Sequence, residues 1–91
     1  MNQEEIMRRA EILKVMAHPH RLMILNGLHK SRCKVGDIQK KIGLSQSGLS
    51  QHLSKMRDIG IIIGERSGKE ICYRISDDFA LEILKISFRD C

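Results

Sequence analysis

Tryptophan is absent from this chain, and aromatic residues make up only 3% of it. A core built on stacked rings is therefore excluded, and any interior must be packed from Ile, Leu, Val and Met. There is one proline, no internal repeat and no low-complexity tract, which leaves no candidate for a linker between domains. No apolar run approaches the roughly 20 residues that a membrane-spanning helix requires, so no membrane partner is expected. The opening Met1-Asn2-Gln3-Glu4-Glu5 is polar and acidic, unlike a secretory signal. Three cysteines, an odd number without regular spacing, do not make a disulfide framework and point to a reduced, cytoplasmic setting. Catalytic signatures are missing as well. The chain has no P-loop, no dinucleotide fingerprint, no Ser/His/Asp set and no paired acid–base carboxylates, so neither an enzyme nor a cofactor is expected.

What remains is a short, basic chain. Its 91 residues are expected to form one domain over 1–91 with a small core, and a chain of this size often completes its burial by dimerising. The net charge of +5 favours a polyanionic partner.

Periodicity divides the chain into five helices and a hairpin. Glu4 to Met16 reads as a first helix with Ile6, Ala10, Leu13 and Met16 or Val15 as its apolar stripe. Ala17-His18-Pro19-His20 breaks it, and Pro19 suits the first turn of a second helix that continues through Arg21 to His29. Leu22, Leu25 and Leu28 point inward there, and Gly27 allows a close helix contact. Lys34 to Ile42 forms a third helix, stopped by Gly43. Leu44 follows as a single apolar plug, and Ser45 is a good N-cap for a fourth helix ending at Gly60. Helix, short glycine-containing turn, helix is the helix-turn-helix pattern. Ile61-Ile62-Ile63 and Glu70 to Ile75 read as strands around a tip at Gly64-Glu65-Arg66-Ser67-Gly68-Lys69, which makes a basic wing. Ser76-Asp77-Asp78 opens a last helix that Phe79, Leu81, Ile83, Leu84, Ile86 and Phe88 make apolar over most of its girth. Packing it, with the first helix, against a second copy would cover it; packing wholly within one monomer is the alternative.

The fourth helix is unusual on its polar side. Leu49, Leu53 and Met56 share one face, while Ser47, Gln51, Lys55 and Asp58 lie opposite, flanked by Ser50, His52 and Ser54. Solvated helices favour Glu and Lys, and repeated serine weakens a helix without improving the core. Short hydrogen-bonding side chains in this pattern suit base edges in a DNA major groove. A serine-rich face with no reader's role is the plain alternative. The residues expected at bases are Ser45, Gln46, Ser47, Ser50, Gln51 and His52, with Lys55, Arg66 and Lys69 on phosphates.

These strings resemble one family. Ala17-His18-Pro19-His20-Arg21-Leu22-Met23-Ile24-Leu25 is similar to the opening motif of the ArsR-type (arsenical-resistance repressor) winged-helix regulators. Val35-Gly36-Asp37-Ile38, Leu44-Ser45-Gln46-Ser47-Gly48-Leu49-Ser50-Gln51-His52-Leu53 and Tyr73-Arg74-Ile75 match later motifs in order. The resemblance implies a mainly α winged helix-turn-helix with a small β-hairpin, dimerising through its first and last helices. It also implies a homodimeric repressor on a palindromic operator in double-stranded DNA, released by a small effector.

The effector site departs from that family. Its thiolate metal site has a Cys-x-Cys where this chain has Lys34 and Gly36, and the last helix offers Asp77, Asp78 and Asp90 without a histidine. His18, His20, His29 and His52 read as scattered, so no metal site is expected. A second branch of the family senses persulfides or oxidants with two cysteines. The ending Phe88-Arg89-Asp90-Cys91 resembles that branch, but its usual partner position holds Asn26. Cys33, whose neighbours Arg32 and Lys34 favour the thiolate, would pair with Cys91 in a thiol switch only if their Cα atoms came within about 7 Å; inert cysteines or a non-thiol effector are the alternative, and Cys72 reads as structural. The rival reading from another class is a winged helix that docks a protein through its wing without reading DNA.

Overall fold

The computed structural model describes residues 1–90 and orders them as α1 (Gln3–Met16), α2 (Pro19–Lys30), α3 (Val35–Ile42), α4 (Gln46–Asp58), β1 (Ile62–Ser67), β2 (Glu70–Ile75) and α5 (Asp78–Ser87). The strands form one antiparallel hairpin, with Ile62 opposite Ile75 and Ser67 opposite Glu70. This is the winged helix-turn-helix order read from the sequence.

Local chemistry sets most boundaries. The Asn2 side chain accepts from the Glu5 N–H to start α1. Pro19 occupies the first turn of α2, where its missing N–H has no helical partner to lose. Gly43 ends α3 in the left-handed region at φ 82°, and the Ser45 hydroxyl accepts from the Gly48 N–H at 3.0 Å to begin α4. Of Ser76 and Asp77, which both stand before α5 and could cap it, one does so. Asp77, not Ser76, accepts from the Ala80 N–H at 2.8 Å, while the Ser76 hydroxyl donates to the Gly60 carbonyl at 2.8 Å and closes the base of the hairpin. The hairpin also runs further than expected. β1 continues through Ser67, and the turn is the two residues Gly68 and Lys69, with Gly68 at φ 64° as such a tight loop requires.

One core joins every helix to the hairpin, through Ile12 and Met16 of α1, Ile24, Leu25 and Leu28 of α2, Ile38 of α3, Leu49, Leu53 and Met56 of α4, Ile61 and Ile62, Tyr73, and Leu84 of α5. The stripe expected on α1 is buried only at its C-terminal end, at Val15 and Met16. Ile12, Val15 and Met16 are buried, whereas Ile6 and Leu13 are exposed by 53% and 42%. On β2, Ile71 is exposed, and Cys72 is buried beside Tyr73. α1 meets the start of α5 through an Arg8–Asp77 ion pair at 3.3 Å and through Arg9, whose guanidinium lies 5.0 Å from the centre of the Phe79 ring.

The close contact expected at Gly27 is present. A Cβ there would sit 2.7 Å from Ile38 Cδ1, so glycine lets α2 and α3 approach within the thickness of a backbone. Gly27→Val should therefore overpack this contact and destabilise the fold by about 2 kcal/mol. Denaturant unfolding of both proteins measures the difference, and an unchanged midpoint would show that α3 moves away at no cost.

Candidate nucleic-acid interface

α4 is held by its apolar side. Leu49, Leu53 and Met56 are buried, and one helical turn of 3.6 residues then carries Gln46, Ser47, Ser50, Gln51 and Lys55 outward, all exposed. Gln46, Ser47, Ser50 and Gln51 line a single shallow concavity on the free side of the helix. Ser45 is exposed at the same end, its oxygen already engaged as the N-cap. The outward face therefore offers amide and hydroxyl donors and acceptors at the helix N-terminus, with Lys55 further along. Such a surface is chemically suited to a groove lined with base edges and phosphates.

His52 departs from this set. One residue beyond Gln51, the helix has rotated by about 100° towards α2, and the ring is half-buried against other parts of the chain. It meets the His18 ring edge-on with centroids 4.6 Å apart, and its Nδ1 accepts from Arg21 Nε at 3.1 Å. The Arg21 guanidinium also donates to the Val15 carbonyl at 3.0 Å. His52 is thus a support between α4 and the start of α2, and its ring lines an open concavity with Arg21, Ser50, Gln51 and Lys55. The expectation that the histidines are scattered is corrected as well. His18, His20 and His52 form a cluster, because α2 begins beside the middle of α4 and brings Pro19's two neighbours to it. Pro19 does not keep the flanking rings apart. His18 stands outside the helix as its N-cap, its Nδ1 accepting from the His20 N–H at 3.1 Å, and His20 lies in the first turn. Arg21 and this cluster were missed as a unit, although His18-Pro19-His20 was visible in the sequence.

The wing carries Arg66 and Lys69, both exposed, Arg66 on β1 and Lys69 in the turn. Arg74 is neutralised by Glu65 across the strands at 2.6 Å, so it is not a free cation of this surface. The expected cysteine pairing is corrected. Cys33 is bonded to Cys72, which joins the loop before α3 to β2, and Cys91 lies outside the described residues. Next to that bond, the Tyr73 N–H donates to the Arg32 carbonyl at 3.0 Å. Loop and wing are therefore held together by both a covalent and a hydrogen bond. The sequence signal for this pair was weak, since 39 residues separate the two cysteines and only the wing's return over the loop brings them together.

Burial holds His52 below the ordinary histidine pKa, and the nearby positive charge of His18, Arg21 and His20 acts in the same direction. A histidine with a lowered folded-state pKa binds its proton less readily than in the unfolded chain. Its penalty is absent above the unfolded value near 6.5 and grows as pH falls through the folded value. The melting temperature should therefore fall on acidification from about pH 7.5 to 5.5, and less steeply in His52→Gln than in the wild type. Parallel pH profiles for the two would remove His52 as a source of acid sensitivity.

The fold and this surface have counterparts of known kind. Residues 18–63, from the cap of α2 to the first strand, match the family model described as bacterial regulatory protein, arsR family. Nodulation protein NolR of Rhizobium meliloti is 47% identical over 75 residues, which cover 82% of this chain and 62% of that protein. This chain thus spans less than two thirds of that relative's length. Transcriptional repressor PagR of Bacillus anthracis is 44% identical over 78 residues, covering 85% of this chain and 78% of its own. The PagR crystal structure superposes with a TM-score of 0.82 at 39% identity, over 94% of this chain and 99% of that one. By sequence motif, family model and fold, the chain belongs to the arsR family of bacterial regulatory proteins.

Proposed function

We propose that this chain is a homodimeric, sequence-specific DNA-binding regulator, acting in the cytoplasm as a repressor of a palindromic operator and released from it by a small effector. The observation that carries this reading is the outward face of α4. Five exposed polar residues stand clear of the core on the second helix of a helix-turn-helix. Gln46, Ser47, Ser50 and Gln51 would approach bases, and Ser45 at the helix start, Lys55, Arg66 and Lys69 would hold phosphates. Residues 1–91 would act as one unit of DNA binding and dimerisation. Support for a symmetric pair comes from α1 and α5, which lie together and leave Ile6, Met7, Leu13 and Ile86 exposed by 42–64%. A second copy laid on these helices would cover them and present two α4 helices about one DNA turn apart. Among the described residues, no helix is long and apolar enough to cross a membrane.

The Cys33–Cys72 bond supports a thiol switch between loop and wing in place of the pairing with Cys91. In the reduced chain the two thiols would pass two electrons and two protons to a small disulfide such as oxidised glutathione, which leaves as two thiols. Closing the bond would restrain the wing, and with it Arg66 and Lys69, against the loop that starts α3. Regulation follows if the free and tethered wings differ in their fit to DNA.

Two measurements test these readings. With a duplex selected from a random library, Gln51→Ala should lose about 1–3 kcal/mol on the selected site and little on a scrambled one. Lys69→Ala should weaken both alike and reduce the salt slope by about one. Equal losses on the two duplexes for Gln51→Ala would rule out base reading. For the switch, wild-type affinity should change between dithiothreitol and oxidised glutathione, and Cys72→Ser should abolish the difference. Identical affinities in both conditions would eliminate it.

A further inference from the structure

Three imidazoles meet where the start of α2 abuts α4. His18, His20 and His52 each offer a ring nitrogen, and these three atoms lie within 4.8 Å of one another. The rings are half-buried, so they are supported by the fold yet reachable from solvent. Their centroids are 4.6 to 5.8 Å apart. The His20 ring has no hydrogen-bond partner among the described residues, and each of the other two uses only Nδ1. We propose that His18, His20 and His52 form a binding site for a divalent transition-metal ion, Zn²⁺ first among them, joining the start of α2 to the outward-facing helix.

The donor set selects the ion class. Imidazole suits Zn²⁺, Ni²⁺, Cu²⁺ and Co²⁺, whereas Mg²⁺ and Ca²⁺ require oxygen. Zinc–nitrogen bonds of about 2.0–2.1 Å in a tetrahedron bring ligand nitrogens to roughly 3.4 Å. The rings must therefore draw together by about an ångström, a movement that half-buried side chains make by small χ rotations. Three protein ligands leave the fourth position to water.

Binding also competes with two hydrogen bonds. His18 Nδ1 accepts from the His20 N–H, and His52 Nδ1 accepts from Arg21 Nε. If a ring ligates through Nε2, its neutral form carries the proton on Nδ1 and can no longer accept. If it ligates through Nδ1, the same lone pair is taken by the metal. In either mode the cap of α2 and the Arg21–His52 contact are surrendered. The ion therefore replaces the cap of α2 and the hydrogen bond that joins α2 to α4, and it releases Arg21 Nε beside Ser50 and Lys55 while the guanidinium keeps its bond to the Val15 carbonyl. This makes the site a coupling point between an ion and the face proposed for DNA, although its existence does not depend on that function.

Titration of the full-length chain with Co²⁺, in oxidising buffer so that the bonded sulfurs do not compete, tests the site without DNA. One ion per chain should bind with visible ligand-field absorption, and Zn²⁺ should displace it. His20→Ala should weaken binding at least tenfold, while His29→Ala, on the same helix outside the cluster, should match the wild type. NMR of the unaltered protein gives a second readout, since Zn²⁺ should shift the ring signals of His18, His20 and His52 and leave those of His29 in place. Absent absorption, a His20→Ala variant that binds like wild type, or ring shifts outside the cluster would overturn the assignment.

Discussion

The burial of Leu49, Leu53 and Met56 governs everything else about α4. A helix has one rotational freedom about its axis, and three apolar side chains on one stripe remove it. Each buried residue of this kind is worth about 1.5–3 kcal/mol, so rolling the helix to bury its serines instead would forfeit most of the domain's stability. The polar face is therefore aimed by the core. Gly43 and Ser45 place the helix start, and the Leu44 plug between them is half-buried against the core. Short side chains on that face add little to stability.

The wing and the start of α2 are joined to that frame by different chemistry. Gly60 at φ 82°, together with Ser76 bonded to the Gly60 carbonyl, turns the chain from α4 into the hairpin. The hairpin then folds back until Tyr73 bonds to Arg32 and Cys72 reaches Cys33. On the opposite flank of α4, polar contacts replace apolar ones. His52, Arg21 and His18 form a chain of rings and hydrogen bonds that responds to protons and to metal ions, which an aliphatic contact would not. The fold thus contains two chemically responsive joints, one of sulfur between the loop before α3 and β2, and one of imidazole between α2 and α4.

α1 and α5 occupy the remaining side. Their inner faces supply Ile12, Met16, Ala80 and Leu84 to the core. Their outer faces keep large apolar residues in solvent, in a chain otherwise rich in charge. Apolar area on two adjacent helices is the kind of surface a symmetric interface uses.

Element order, the helix-turn-helix and the identity of the outward-facing residues were legible in the sequence because each depends on neighbours within a few positions. Leu49, Leu53 and Met56 recur at helical spacing, Gly43 and Ser45 mark a stop and a start, and Ile62 and Ile75 bracket a hairpin. What local pattern could not supply was the meeting of distant segments. Which stripe of α1 turns inward, whether Ser76 or Asp77 caps α5, the bond between Cys33 and Cys72, and the gathering of His18, His20 and His52 were all decided by packing. The physical reason is that periodicity records which face of an element is apolar. The partner that face or a reactive side chain meets is set only when helices 30 or more residues apart are brought together in one core.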